Sequence, residues 1–295
     1  MEIVHYPVMY REVLENLVPP NEDGTMIDAT TGEGGHTSLF LEKYPKLSVI
    51  GLDRDRGIQE KAIKRLEKYK DRFSPINTWF DDYLEKREGE SADLVLFDLG
   101  ISTYHYVESG RGFSFMKDEA LDMRLDTTSS FDARYIVNNY DKESLASILY
   151  NFGEERYSRR IADRIVAYRS GKEIESAKEL EDIVYHAVPE NYRHGRINPA
   201  TRTFQALRIA VNGELDRIKP ALLDAVRVLK KGGMLGVITF HSLEDRIAKW
   251  TLKERSSEVG DIEILTKKPI VPSKEEEDEN PPSRSAKLRI ARKIK

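Results

Sequence analysis

Three aspartates and one glycine-rich turn carry most of the chemical information in the first third of this chain. They are Asp28, Asp53, Asp98 and the run Gly32-Glu33-Gly34-Gly35. Glycines in such a turn admit positive φ and let a ligand lie close to the backbone. The run is not a dinucleotide fingerprint, because His36 and Thr37 follow where a third glycine would be needed. It is not a phosphate-cradling P-loop either, because no Gly-Lys-Ser/Thr follows.

What remains is a turn for an adenosine ligand that has no pyrophosphate, and S-adenosylmethionine is such a ligand. Asp28, just before the glycines, could meet the ligand's amino group. Asp53 lies about 20 residues beyond the turn, where Rossmann-like folds hold ribose hydroxyls. Phe80 could pack on adenine. Taken singly, each aspartate is also an ordinary helix cap or turn residue, and Phe80 an ordinary core aromatic. Together with Gly32, Gly34 and Gly35 they point to a cofactor site.

Asp98 opens Asp98-Leu99-Gly100-Ile101-Ser102, where a methyl acceptor would meet the sulfonium. An exocyclic amine is a poor nucleophile because its lone pair is delocalised into the ring. A carboxylate that accepts an N–H bond localises that lone pair, and in-line positioning supplies the rest. The chain has no cysteine, which excludes methylation at a pyrimidine carbon through a thiolate adduct, disulfides and thiolate metal sites. No cluster of histidines and carboxylates has metal-ligand spacing.

These residues need elements to hold them. Strands are expected at Thr25–Ala29, Leu47–Asp53, Ile76–Phe80 and the nearly all-apolar Asp93–Phe97, with helices at Val8–Leu17, Thr37–Lys43 and Ile58–Tyr69. Such alternation predicts a doubly wound parallel sheet with each functional aspartate at a strand's carboxyl end. From about Arg111 the rhythm changes to helices alone: Glu143–Phe152, Glu154–Arg169, Ala177–Ala187 and Ala200–Val211. A helix at Ala221–Leu229, a Gly232-Gly233 turn and a strand at Met234–Phe240 restore it. A helix at Leu243–Arg255 and strands at Ile262–Leu265 and Leu288–Ile294 follow, and the proline-rich, acidic 269–282 reads as a solvated loop. The expected organisation is an α/β domain, 1–110 and 213–295, interrupted by an all-helical insertion, 111–212.

The 295 residues carry a net charge of −4, with 39% hydrophobic and 33% charged residues, a globular balance but not that of a typical nucleic-acid binder. Positive charge is nevertheless concentrated in two places. One is Arg284–Lys295, with six basic residues and no acidic one. The other is the insertion, with Arg156, Arg159, Arg160, Arg164, Arg169, Arg193, His194, Arg196, Arg202 and Arg208. An aromatic and basic group, Tyr104, His105, Tyr106, Arg111, Phe113 and Phe115, could stack a flipped base or serve as packing. His241, Glu244 and Asp245 either face the site or form a capped helix start with Ser242 as N-cap. No apolar run approaches the roughly 18 residues of a membrane helix, and the first residues do not read as a signal peptide, so a cytoplasmic location is expected.

Throughout its length the sequence resembles the MraW family of bacterial small-subunit ribosomal RNA methyltransferases. The resemblance lies in Asp28–Thr37 (DATTGEGGHT), Asp98–Ser102 (DLGIS), Arg111–Asp126 (RGFSFMKDEALDMRLD), Gly153–Ala162 (GEERYSRRIA), Asn198–Leu215 (NPATRTFQALRIAVNGEL), Thr239–Arg246 (TFHSLEDR) and Asn280–Arg292 (NPPSRSAKLRIAR). It implies a Rossmann-like class I S-adenosylmethionine-dependent methyltransferase sheet with an inserted all-helical, RNA-recognising domain. It also implies methylation of the N4 of a decoding-site cytidine in 16S ribosomal RNA, with no obligate protein partner. Gly34, Gly35, His36, Asp53, Phe80, Asp98 and His105 are the implied cofactor positions, His105 standing where many relatives carry Gln. Asp98 is also the implied catalytic residue, although Leu99-Gly100-Ile101 replaces the Pro-Pro-aromatic sequence of better-known amino-methyltransferases. Alternatives are a non-catalytic RNA-binding or ribosome-assembly factor, or an amino-methyltransferase acting on DNA.

Overall fold

The structure, a computed structural model, describes residues 6–195 and 197–295. It contains two compact units, one running to Ile101 and resuming at Leu215–Lys295, the other Ser102–Glu214.

The first unit begins with α1 (Tyr10–Asn16), β1 (Thr25–Asp28), α2 (Gly35–Lys43), β2 (Ser48–Asp53), α3 (Arg56–Arg65), β3 (Phe73–Asn77), α4 (Phe80–Lys86) and β4 (Ala92–Asp98). The third strand is thus earlier than the sequence suggested, and Phe80 opens a helix instead of ending a strand. Pro75 lies inside β3, which is tolerated because β3 is an edge strand. Asp81 and Asp82 in the first turn of α4 complement its dipole.

The second unit is helical: α5 (Thr103–Val107), α6 (Ala133–Asn139), α7 (Lys142–Gly153), α8 (Ser158–Arg169), α9 (Ala177–Ala187), α10 (Glu190–Arg193) and α11 (Ala200–Asn212). Asp132, Asp141 and Ser176 cap α6, α7 and α9 through their side chains. Glu154, at φ 48°, ends α7, so α8 starts at Ser158, not at Glu154. Leu145, Leu149, Ile161, Ile165, Leu180, Val184 and Leu207 are fully buried, and α7 packs against both α8 and α11.

The chain then continues through α12 (Glu214–Val228), β5 (Leu229–Thr239), α13 (Ser242–Glu254), β6 (Ile262–Ile264), α14 (Lys274–Glu279) and β7 (Lys287–Lys293). β5 starts earlier than expected. Gly232 (φ +83°) and Gly233 lie within it, near a register shift against β4, so they form an irregularity in the strand and not a turn before it. The acidic run is not a solvated loop. It forms α14, capped by Ser273 and anchored where Glu276 Oε1 accepts the Met9 N–H at 2.5 Å.

Among the described residues the strands form one sheet in the order β3-β2-β1-β4-β5-β7-β6. β3 to β5 run parallel, and β7 and β6 are antiparallel additions. Alternation divides the core: Ile27, Val95, Phe97, Leu235 and Val237 meet the buried faces of α12 and α13, while Met26, Leu94, Leu96 and Ile238 meet α1 and α2. Every residue of β4 from Ala92 to Phe97 is buried, the cause of its apolar sequence. The register sets Asp28 beside Gly51, Asp53 beside Asn77 and Asp98 beside Ile238, so β1, β2 and β4 all deliver their aspartates to the same end of the sheet.

Candidate active site

The β1–α2 loop is threaded between the two neighbouring strands. Ala29 N–H donates to Leu96 O (2.8 Å) and Thr31 N–H to Leu52 O (2.8 Å), after which Gly34 N–H closes the turn on Thr31 O (2.8 Å). Gly32 and Gly34 have φ of +54° and +78°, a region that favours glycine. Their surroundings differ. A Cβ at Gly32 would make only an ordinary contact with Ile58, whereas one at Gly34 would come within 2.8 Å of Leu66. Gly34 is therefore required by packing as well as by backbone conformation.

The three aspartates occupy distinct environments. Asp28 is 1% exposed. One carboxylate oxygen accepts the Thr37 hydroxyl (2.6 Å) and the other the Thr30 N–H (3.3 Å). It braces the turn and does not present itself to a ligand's amino group, contrary to the sequence expectation. Burial pushes its pKa up, with the Thr37 hydrogen bond opposing.

Asp53 accepts the Gly32 N–H (2.9 Å) and the Asp55 N–H (2.8 Å). Burial nonetheless lifts its pKa to about 7, the two N–H donors opposing and the charges of Asp55 and Asp28 adding. Each oxygen retains a lone pair, so the group can still accept hydroxyl donors such as those of a ribose.

Asp98 ends β4 with its N–H on Thr30 Oγ1 (2.6 Å). Its Oδ2 lies 3.6 Å from Nε2 of His36, which sits in the first turn of α2. Among the described residues Asp98 Oδ1 and both ring nitrogens of His36 are buried without a hydrogen-bond partner. Orphaned buried polar atoms cost about 1–3 kcal/mol each, so a pair of residues holding three of them marks a place where a polar ligand compensates. That cluster and the titratable Asp53 fit a ligand bearing ribose hydroxyls and a charged head.

Phe80 stands half-buried, edge-on to Phe97 at 5.5 Å. A Cβ on Gly100 would strike the Phe240 ring at 2.7 Å, so that glycine serves the packing of β4 against the end of β5. His105 belongs to the helical unit, 4% exposed and packed edge-on to Phe113 at 5.2 Å. Phe115 packs on Phe204 (5.2 Å) and Arg111 Nη1 donates to Arg124 O (2.6 Å), so these members of the aromatic group are packing residues within that unit.

The helix after β5 is capped by His241 in a reciprocal box with Glu244, not by Ser242. Asp245 accepts from Arg289 (2.7 Å) and Lys287 (3.4 Å), and those cations hold its pKa down against burial. The basic terminal stretch is consumed in the same way: Arg292 pairs with Glu263 (2.6 Å), Lys293 bonds Arg227 O (3.3 Å) and Arg284 bonds Glu277 O (3.2 Å). Five of its six cations are thus internal ties, which leaves little of it as a free patch. Arg196 lies outside the described residues.

The residues that sequence reasoning passed over are Thr30 and Thr37. Their hydroxyls fix Asp98 and Asp28, and the signal available was a pair of threonines and a third flanking a glycine turn. Among the described residues no group of histidines and carboxylates could hold a metal ion, and no helix is long and apolar enough to cross a membrane.

A parallel sheet of this order, with a glycine turn after its first strand and carboxylates ending the first, second and fourth, is the framework of a nucleoside-cofactor methyltransferase. The model of the MraW methylase family matches residues 2–294, and the chain belongs to that family. It is 50% identical over 310 residues to the ribosomal RNA small subunit methyltransferase H of Treponema denticola, covering 100% of this chain and 98% of the relative. It is 47% identical to the protein of the same name from Sulfurihydrogenibium azorense (99% and 100%) and 46% identical to that from Synechococcus elongatus (98% and 95%). The chain is an enzyme, a methyltransferase that uses S-adenosylmethionine.

Proposed function

We propose that the enzyme methylates the exocyclic N4 of a cytidine in the decoding region of 16S ribosomal RNA, in the cytoplasm. The observation that carries the chemistry is the orphaned Asp98 Oδ1 at the end of β4, beside His36. Family membership supports the target.

In this reading Gly32, Gly34, Gly35, His36, Asp53, Phe80 and Asp98 form the donor site. When bound, S-adenosylmethionine supplies an electrophilic methyl group. Asp53 accepts ribose hydroxyls, and Phe80 offers an apolar edge to adenine. Asp98 Oδ1 accepts an N–H of the cytosine amine, localising the nitrogen lone pair and receiving the proton that the amine sheds. No cysteine is needed and none exists. The helical insertion, expected at 111–212 and compact over Ser102–Glu214, serves RNA recognition.

The test is transfer of labelled methyl to unmodified small-subunit particles and to their extracted RNA, followed by nucleoside analysis. N4-methylcytidine is expected. Absence of label from both substrates, with donor binding intact, would overturn the assignment.

A further inference from the structure

Most arginines of the helical unit are already committed. Arg169 donates to Val137 O and Tyr140 O, Arg202 to Glu154 O, and Arg193 to Val188 O while lying over Tyr185. Arg208 forms a two-point pair with Glu214 at 3.0 and 2.9 Å.

The exposed side of α8 is different. The helix buries Ile161, Ala162 and Ile165 and leaves Arg160 and Arg164 exposed. Four residues apart, they lie one above the other, about 6 Å along the axis. Among the described residues neither pairs with a carboxylate. They line a depression of about 550 Å³ with Asp163, Ala167, His186 and Ala187. Its one lining carboxylate, Asp163, is occupied by Lys142 (2.6 Å), and His186 lies 3.3 Å from Asp182.

Arg156 stands four residues before Arg160, its guanidinium 4.8 Å from the ring centres of both Tyr157 and Tyr192. Those rings meet edge to face at 4.9 Å. The fully buried Glu155 locks them, accepting the Tyr192 hydroxyl and the Tyr157 N–H, each at 2.7 Å. Burial, aided by the contact with Glu155, pushes the Tyr192 pKa up to about 12, so its hydroxyl keeps its proton. A guanidinium held between rings loses little side-chain freedom on binding.

We propose that Arg156, Arg160 and Arg164 form the RNA-backbone contact of the helical unit, with the Tyr157–Tyr192 pair available to stack an unpaired base. The proposal rests on the reading of ribosomal RNA as substrate. Arg160 and Arg164, uncommitted to any carboxylate, answer to phosphates, and Arg156 with its aromatic rings beside them favours single-stranded RNA over an acidic protein segment.

The experiment is filter binding of the full-length enzyme to extracted 16S ribosomal RNA over a range of salt. Wild type is compared with Arg160→Glu/Arg164→Glu, with Arg156→Ala and with the exposed control Lys267→Glu/Lys268→Glu. Circular dichroism and S-adenosylmethionine affinity check that each variant is folded. The α8 double reversal is expected to weaken binding by roughly tenfold or more and to flatten the salt slope by about 1 to 2, with Arg156→Ala weakening it to a lesser degree. The control should stay within about twofold, the small response of a site outside the contact. Equal loss in the control, or wild-type binding by folded α8 variants, overturns the surface while leaving the substrate reading intact. A wild-type enzyme that neither binds nor methylates the RNA removes that reading and this surface with it. Undiminished RNA binding together with lost capture of an acidic peptide would assign the face to a protein partner.

Discussion

The carboxyl end of the sheet and the exposed side of α8 present charge in opposite ways. At the sheet, topology does the selecting: β1, β2 and β4 must end together, so three aspartates distant in sequence become neighbours whatever else surrounds them. On the helical unit no such rule operates. Arg160, Arg169 and Arg208 look alike in sequence, yet one is exposed, one ties two helix-end carbonyls and one is sealed against Glu214. Position in a fold can announce a site, whereas charge on a helix announces one only after the internal pairs are subtracted.

That contrast can be broken or sharpened. The largest effect is expected at Asp98. Asp98→Ala should lower methyl transfer by on the order of 10²–10⁴-fold while donor affinity falls far less. Equal losses in transfer and donor binding would make Asp98 a cofactor residue only.

Next is Arg208→Ala, which removes the two-point pair with the largely buried Glu214 and should destabilise the helical unit by about 3 kcal/mol, measured by urea unfolding. Arg160→Ala should stay within about 0.5 kcal/mol of wild type. Comparable destabilisation by both would erase the distinction between committed and free arginines.

Gly34→Ala should cost about 2 kcal/mol, because a left-handed φ and the Leu66 contact add. Gly32→Ala, with the φ penalty alone, should cost about 1 kcal/mol. Thermal melts of the two variants would decide the order.

A further effect concerns pH. The folded-state pKa of Asp53 is raised to about 7, so the folded protein holds this proton more tightly than the unfolded chain does. The stabilisation is complete below the unfolded carboxyl pKa near 4 and is lost as pH rises through about 7. A ribose needs the ionised carboxylate, so donor affinity should run the other way, roughly tenfold weaker at pH 6 than at pH 8. Calorimetry at the two pH values would show it, and Asp53→Asn should abolish the difference. A flat wild-type profile would sever Asp53 from the donor.

The centre of the sheet was readable from sequence because β1, β2 and β4 are short, mostly apolar runs ending in aspartate. Period and composition also exposed the helical character of 111–212. The errors have local causes. Trp79 and Phe80 looked like strand residues, yet the strand ends at Asn77, whose side chain reaches back to the Asp53 and Arg54 carbonyls. Pro220 lies inside α12 and hid that helix's first turns. Asp28 looked like a ligand group because sequence shows position but not burial. The acidic segment looked unstructured because nothing in it foretold that Glu276 would reach the Met9 amide. His241 as the cap of α13 was obscured by Ser242, the stronger capping residue beside it.

β7 is the last strand in sequence but lies between β5 and β6 in the sheet. The helical residues interrupt the chain between β4 and β5, which are neighbours. During synthesis the contiguous helical segment is complete while the ribosome still holds the sheet's final strands. Until β7 emerges, one edge of β5 has no partner and displays unpaired backbone groups. Closure is a late, long-range event of the kind that slows folding. A nascent chain stalled before Lys287 would carry a finished helical unit beside an unfinished sheet.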